Sequence, residues 1–472
     1  MKDEHPPHRD APPLSTRVAS ARARRASRRD RTLAMRASPR ALGRLTPRDV
    51  ALLDSILARV HASMPARAEA ATAGAREEYV VGLSGGVDSA VAAWALERCG
   101  ARATATLMRN WDARDEDAAT DCGHRDDLRS ARAIAEKMNL RFIESDFTRE
   151  YWHEVFEPYV EAFESGATPN PDLECNRSVK FGALLRRAME DLGGRYLATG
   201  HYARIDRDVD EGEPPRLLRG IDRTKDQSYF LASVRGEALR SACFPLGAVF
   251  KSETREAARI LGLDCADRRS SAGICFIGRR PFGEFIGEYI TPSEGTFVDA
   301  ETARPVPGAA PHRGLASYTV GQRARIGGAP KPWFVVGKNV AANVVYVANG
   351  AEHDALYSTR AALADEFWIS NRRPTSDDGS SSVRLLAKTR YASSLTPVTL
   401  SVASDDETFT KSRFSSSFIP RDESSPLRAT FDRPERAVTP GQALVLYDGD
   451  VCLGGGIIEH VGVTEFEARA AS

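Results

Sequence analysis

The chain has 472 residues, of which 42% are hydrophobic and 28% charged, and its formal net charge is zero. Such a length holds about three domains with real cores. No apolar run approaches the ~20 residues of a membrane-spanning helix. An integral helical membrane protein, a wholly disordered chain and an evenly basic nucleic-acid coat are therefore excluded. Seven irregularly spaced cysteines with no Cys-x-x-Cys pair make neither a disulfide framework nor a zinc ribbon, and they point to a reducing compartment.

The neutrality hides an asymmetry. Residues 1–48 carry twelve Arg and one Lys against Asp3, Glu4, Asp10 and Asp30, so the body carries the compensating negative charge. The segment ARARRASRRDRTLAMRASPRALGRL has the Arg/Ala/Ser-rich, acid-poor texture of an organelle transit peptide, which places the chain in a mitochondrion or chloroplast. The plainer alternative is a basic tail, disordered or touching RNA. The acidic start MKDEHPPHRD fits a leader poorly, and Met35 would begin a cleaner one. Residues 45–62 read as a short amphipathic helix and 63–76 as a linker; 1–75 are set apart as leader and linker.

From Glu77 strands and helices alternate. Tyr79 to Leu83 is an apolar strand, Ser84 to Ser89 a Gly-rich turn and Ala90 to Arg98 an Ala-rich helix. Ala103 to Met108, Arg141 to Ser145 and Tyr196 to Thr199 are further strands. Helical periodicity marks Asp126 to Met138, Glu150 to Phe163 and Arg177 to Leu192. This order predicts an α/β fold, a parallel sheet with helices on both faces, with ligands at the carboxyl ends of the strands. After about residue 285 short strands and Gly/Pro turns take over. Asp448-Gly449 reads as a hairpin turn, and the C-terminal third as a small β-barrel. The expected division is 76–280 as nucleotide-binding domain, 281–355 as small central domain and 356–472 as barrel. Residues 402–427, rich in Ser and charge, read as a surface loop without a functional role.

Three motifs carry chemistry. The first is Gly82-Leu83-Ser84-Gly85-Gly86-Val87-Asp88-Ser89 between a strand and a helix. Glycines let backbone N–H groups converge on an anion, the helix start adds its positive dipole end, and Ser84 and Ser89 add hydroxyl donors. The turn has no Lys and so is not a GxxxxGK[ST] loop. Gly82-Leu83-Ser84-Gly85-Gly86 also satisfies the G-x-S-x-G elbow of hydrolases, for which His201, His312, His353 and His460 are available partners. The second motif is Thr168 to Arg177, TPNPDLECNR: Asn170 caps a helix begun by Pro171, and Asp172 and Cys175 face one side a turn apart. Asp172 can move protons, and Arg177 is placed to favour a thiolate. The third is Ser271 to Gly278, SAGICFIG, where Cys275 taken alone reads as core. Cys99, Cys243, Cys265 and Cys452 read as structural, and Cys122 with His124 as a loop rather than a metal pair.

In this order the motifs resemble the tRNA-specific 2-thiouridylase family, of the PP-loop ATP pyrophosphatase superfamily. The resemblance extends through LMRNW (107–111), ATGHYAR (198–204), KDQSYFL (225–231), KTRY (388–391), AVTPGQ (437–442) and CLGGGIIE (452–459), over roughly residues 77–460. It implies an enzyme that adenylates the 2-carbonyl oxygen of the tRNA wobble uridine with ATP and replaces that oxygen by sulfur. Carried over by position, Gly82 to Ser89, Met108 and Gly200 would bind ATP, with Mg²⁺ accompanying it. Cys275 would hold a persulfide received from a sulfur-donor protein. Cys175 would resolve it, the pair ending as a disulfide, or would free hydrosulfide, and Asp172 would be the acid/base. Asn170, Pro171 and Asp172 would meet the target base, while Lys225, Asp226, Gln227, Arg390 and Tyr391 would touch tRNA. A monomer and no protein-held metal are expected. RNA binding by a neutral chain requires a local basic face, for which Lys388, Arg390, Lys180 and Arg177 are candidates.

Departures from the family pattern are Arg109 before the Asn-Trp pair and Ala392 after Arg390-Tyr391. The rival readings are another PP-loop ligase, which needs neither Cys175 nor Cys275; a serine hydrolase through Ser84; a non-enzymatic tRNA-binding protein; and an iron–sulfur enzyme with Asp172, Cys175 and Cys275 as cluster ligands.

Overall fold

The computed structural model describes residues 45–65, 78–111, 123–268, 282–376, 380–403, 409–416, 418–419 and 427–471. The basic leader up to residue 44, the 66–77 linker, Cys122 and the whole Cys275 motif lie outside the described residues.

The strands of the first half are β1 (Glu78–Gly82), β2 (Arg102–Arg109), β3 (Arg141–Asp146), β4 (Tyr196–Ala198), β5 (Ala203–Asp206), β6 (Arg216–Arg219) and β7 (Ala242–Cys243). β3, β2, β1, β4 and β7 lie side by side in that order, all parallel. The chain runs outward from β1 through β2 to β3, then returns to β4 on the other flank. The switch point thus falls between β1 and β4, where such sheets bind ligands. Alternation along β1 sends Val80 into one core and Tyr79 and Val81 into the other. On the second face pack α1 (Pro47–Ser63), α2 (Val87–Arg98), α3 (Gly123–Lys137) and the helix Lys251–Ile260. The first face is covered by two long helices, each passing through a wider π-type segment. These are α4 (Thr148–Tyr151, Trp152–Phe156, Glu157–Glu164) and α5 (Pro171–Glu174, Cys175–Leu184, Leu185–Glu190).

The second half holds β8 (Thr296–Asp299), β9 (Trp333–Asn339), β10 (Val344–Asn349), β11 (Tyr357–Trp368), β12 (Ser382–Lys388), β13 (Thr396–Val402), β14 (Leu427–Arg436), β15 (Ala443–Asp448) and β16 (Val451–Val461). β8, β10 and β9 form a small central sheet. β11, β14, β13, β12, β15 and β16 form an antiparallel sheet that the β11–β16 pairing closes into a six-stranded barrel. The Asp448-Gly449 turn joins β15 to β16, with Gly449 in the left-handed region. The β5–β6 hairpin adds onto β16 through Leu218–Val451 and Leu217–Cys452. One core therefore runs from Val80 and Leu197 of the parallel sheet to Val445, Tyr447 and Cys452 of the barrel.

Two sequence expectations are corrected. Residues 1–75 do not all stand outside the fold. Thr46 caps α1 by accepting from the Asp49 N–H at 3.2 Å, and Leu53, Ile56, Leu57 and Val60 are buried in the core against α2. Arg59 holds Glu253 through both guanidinium nitrogens at 2.9 and 2.8 Å. The second correction concerns 402–427, whose described middle is a strap anchored by buried Ser412, Phe414 and Ser416, with Thr410, Lys411, Arg413 and Ile419 between and beyond them exposed. Phe414 is 2% exposed among Ala300, Val336, Ala348 and Leu356. Its carbonyl accepts from Lys338 N at 3.1 Å, Ser412 N donates to Val461 O at 2.9 Å, and Ser416 Oγ donates to Gly166 O at 3.2 Å. Central sheet, barrel and first half are thereby tied together. Composition misleads here because serines can be buried when their hydroxyls and amides are paired.

Candidate active site

β1 delivers Gly82 to the switch point, and the next seven residues, Leu83 to Ser89, fold into a cradle. Leu83 N donates to Thr106 O at 2.8 Å, holding the turn to β2. Ser84 N donates to Ser89 Oγ at 3.1 Å, the two hydroxyls lie 3.1 Å apart, and Ser89 Oγ donates to Gly86 O at 3.2 Å. Gly85 takes a φ of +74°. Its carbonyl is held by Ser130 Oγ at 2.8 Å and Arg268 Nη1 at 3.0 Å, and Arg268 also grips Asp127 at 2.9 Å. Gly86 caps α2 without a side chain, so the first N–H groups of Val87 to Arg98 have no side-chain cap and face an incoming anion. Gly200, just beyond β4, forms the opposing wall. A Cβ there would lie 2.8 Å from Ser89 N and 2.9 Å from the Asp88 carbonyl carbon, so only glycine permits this approach. Met108 is half-buried at the end of β2.

Sequence reasoning missed the groups that fix this cradle. Lys251 places Nζ 2.5 and 2.6 Å from the two Asp88 oxygens, and the Tyr202 hydroxyl donates to Asp88 at 2.8 Å. Lys251 and Arg268 lie on distant elements and carry no local signature, whereas Tyr202 falls inside the ATGHYAR segment, where the sequence assigns it no role. The hydrolase reading falls: Ser84 Oγ pairs with Ser89, and among the described residues no histidine hydrogen-bonds it.

The cap of the second motif forms as its residues predict. Asn170 caps α5, its Oδ1 accepting from Asp172 N at 3.1 Å, with Pro171 in the first turn. Leu173 and Cys175 are 5% and 4% exposed. Burial pushes the Asp172 carboxyl above the ordinary carboxylate range, opposed by the Lys180 ammonium. Burial, helped by Lys180, drives the His201 imidazole well below its ordinary value, so the ring is neutral at physiological pH. His201 Nδ1 lies 2.7 Å from Thr199 Oγ1, with Phe181 and Phe244 around the ring at 6.0 and 5.8 Å. Lys180 thus acts on both Asp172 and His201, and His201 directly follows the Gly200 wall. Arg177, expected beside Cys175, is exposed and faces Glu174 at 3.7 Å.

The barrel reaches into this site. Thr168 N donates to Pro440 O at 2.9 Å and Gln442 Nε2 to Thr168 O at 2.6 Å, so the AVTPGQ turn braces the chain just before Asn170. Asn176 Nδ2 donates to Phe230 O at 2.9 Å, and the Phe230 ring packs on Tyr391 with centroids 4.3 Å apart. The 168–177, 225–231 and 388–391 motifs therefore meet on one side of the molecule.

Within that surface the candidates differ. Lys225 is exposed, and Arg390 is half-buried with Nη1 donating to Arg436 O at 2.7 Å. Asp226 is 1% exposed and accepts from Arg219 Nε, Gly220 N and Ser228 N at 3.0, 3.0 and 3.1 Å. Gln227 exchanges hydrogen bonds with the Tyr202 backbone at 3.0 and 2.9 Å. Lys388, expected on a basic face, is 6% exposed, and its Nζ donates to Tyr391 O at 3.3 Å. Arg109 pairs with Asp146. Of the cysteines read as structural, Cys243, Cys265 and Cys452 are buried; burial pushes the Cys99 thiol up to about 11 and raises those of Cys265 and Cys452.

The comparisons agree with this architecture. The tRNA methyl transferase HUP domain family matches residues 77–279, its PRC-barrel domain family residues 283–349, and the aminomethyltransferase beta-barrel domain family residues 410–458. The tRNA-specific 2-thiouridylase MnmA of Salmonella typhimurium is 39% identical over 390 residues, which cover 81% of this chain and 97% of that protein. That of Shigella boydii matches to the same extent, 39% over 390 residues. Among solved structures, the NMN synthetase from Francisella tularensis covers 51% of this chain and 81% of its own, with a TM-score of 0.29 and 17% identity, a likeness too weak to carry weight. With the strand order, the cradle and near full-length identity to such relatives in agreement, the chain belongs to the tRNA-specific 2-thiouridylase family and is an ATP-dependent tRNA-uridine 2-sulfurtransferase.

Proposed function

We propose that the enzyme adenylates the 2-carbonyl oxygen of the wobble uridine and then replaces it with sulfur held as a persulfide on Cys275. One observation supports this most: the anion cradle and the Asp172 site are joined through Gly200 and His201. A nucleotide and a base docked in them would be neighbours. The cradle fits a triphosphate: an uncapped helix start, two serine hydroxyls and a glycine wall. Among the described residues no group of three His, Cys, Asp or Glu side chains converges. Cys275, one of the three residues of the iron–sulfur alternative, lies outside the described residues; Mg²⁺ would accompany the nucleotide, held by phosphate oxygens and water.

The roles follow from chemistry. ATP turns a poor leaving group, the carbonyl oxygen, into AMP. Asn170 and Pro171 set the entry of α5 and so the place of the base. Asp172, poised by burial against Lys180, moves the proton of the uracil ring. The terminal persulfide sulfur attacks C2 and AMP leaves. The Cys175 thiolate then attacks Cys275 Sγ, breaking the S–S bond; sulfur stays on the base and a Cys175–Cys275 disulfide forms, for an external thiol to reopen. Lys225, Arg390 and Tyr391 contact the tRNA backbone, while Asp226 and Gln227 shape their loop from within. A monomer, a sulfur-donor protein and an organelle entered through the Arg-rich leader complete the reading.

The test is nucleoside mass spectrometry on unmodified tRNA incubated with the protein, Mg-ATP and a persulfide donor, beside Cys275→Ser and Cys175→Ser. We expect 2-thiouridine only with ATP and both cysteines. Product from Cys275→Ser with the same donor would sink the persulfide route, and product without ATP would sink the adenylation step.

A further inference from the structure

By spacing, Arg177 is the expected cation beside Cys175, but it faces Glu174 instead, at 3.7 Å. The shape of α5 brings up another. The helix begins with one α-turn, Pro171–Glu174, and widens at Cys175 into a π-type segment that runs to Leu184. An i→i+5 turn takes up one residue more than an α-turn. In an unbroken α-helix Lys180, eight residues beyond Asp172, would lie about 80° round from it. With one residue taken up, eight behave as seven, the spacing that returns a side chain to the same face. Helical side chains also lean toward the N-terminus, so the half-buried Lys180 reaches back over Cys175 toward Asp172. The surroundings agree with this placement. Lys180 acts on Asp172 as a charge and not through a hydrogen bond, which leaves the carboxylate oxygens open to a base. It acts on His201 in the same way, and the His201 ring lies 6.0 Å from that of the adjoining Phe181. From α4 the buried Tyr159 phenol also meets the Asp172 charge, which with burial keeps it protonated. Phenol and imidazole are thus both neutral here, and Lys180 is the cation that acts on Asp172.

We propose that Lys180 is a positioning residue for the proton transfer: brought round by the π-type turn, its ammonium faces Asp172 and makes a base of that buried carboxylate. Asp172 then takes the uracil N3 proton onto a carboxylate oxygen as O2 is adenylated, and returns it to the thiolated base. The inference rests on the reading of Asp172 as the acid/base. It assigns Lys180 to the interior of the site rather than to a phosphate contact on an outer basic face.

The experiment is the pH profile of single-turnover thiolation in the full-length enzyme, with saturating tRNA, Mg-ATP and a persulfide donor, beside Lys180→Met, Lys180→Arg and Asp172→Asn. A general base gives the rate an ascending limb at the pH where it loses its proton. Removing a nearby opposite charge makes ionisation harder, so Lys180→Met should move that limb up by about one pH unit and slow the reaction about tenfold along it. Lys180→Arg should keep the limb in place. A lower rate at every pH with the limb unmoved would overturn the proposal, because Lys180 would then be structural. So would weaker tRNA binding with the limb unmoved, which would make Lys180 a phosphate contact. A limb that moves as far in Lys180→Arg as in Lys180→Met would also overturn it, since the charge would not be what matters. If Lys180→Met does not fold, Lys180→Gln takes its place with the same expectation. Asp172→Asn that still thiolates would instead overturn the reading of Asp172 as the acid/base.

Discussion

Asp172 shows how one residue sets stability against chemistry. Its carboxyl is raised by burial, with Lys180 opposing. The folded protein therefore favours the protonated form. Below the unfolded carboxylate range the acid is protonated in both states and burial costs nothing. As pH rises through the folded value, ionisation is resisted and stability is lost. Asp172→Asn removes that penalty in nearly the same shape. We expect it to abolish thiolation yet melt about 1–2 °C above wild type at pH 8, the gap closing toward pH 3.5. Thermal melts across that range check it; equal melting at pH 8 would mean that the Lys180 charge already cancels the desolvation. The position of Asp172 was legible because a cap and a proline are local signals. The environment that tunes it was not: Lys180 acts through space, and a lone Lys in the sequence says nothing of what it faces.

At the level of elements, the segment just before Asn170 is clamped from outside its own domain. Ser416 of the strap holds Gly166, while Pro440 and Gln442 of the barrel hold Thr168. Gly441 makes the second clamp feasible. It takes a φ of +89°, and a Cβ on it would come within 2.8 Å of Thr168 N and 2.9 Å of Ala167 Cβ. Gly441→Ala must strain that turn or push the 167–170 segment, and a 1 Å displacement at a reacting centre costs on the order of 10²-fold. We expect thiolation of tRNA to fall by about that factor while Mg-ATP affinity stays within twofold, since the cradle lies on another element. Single-turnover thiolation set beside nucleotide binding tests this; a parallel loss of ATP affinity would show that the barrel supports both sites. Strands and helices of the parallel sheet were readable from period and turn residues. The strap was not, because Phe414 is anchored by partners far away in sequence, and its serine-rich flanks look solvated.

The molecule as a whole has no clean seam between its first half and the barrel. One core passes from Leu197 through Tyr229 to Val445 and Tyr447, and Tyr229 Oη donates to Ala443 O at 2.9 Å. The domain sequence could be read from the chain; this fusion could not, because β5 and β6 join the barrel sheet only in three dimensions. The same argument bears on the N-terminus. α1 looked like the tail of a leader, yet Leu53, Ile56, Leu57 and Val60 are at most 8% exposed. Burying such side chains is worth about 1.5–3 kcal/mol each as an upper range. The Arg59–Glu253 pair adds little, since its side chains remain 27% and 25% exposed. If the basic segment is a transit peptide, its cleavage belongs before Thr46. A protein starting at residue 45 should melt within about a degree of the full chain. One starting at residue 66 should melt at least about 5 °C lower, since several kcal/mol of burial is lost and the apolar face of α2 is bared to water. Differential scanning calorimetry of the two truncations decides: equal melting temperatures would mean that α1 merely lies on the core, and that the leader extends through it after all.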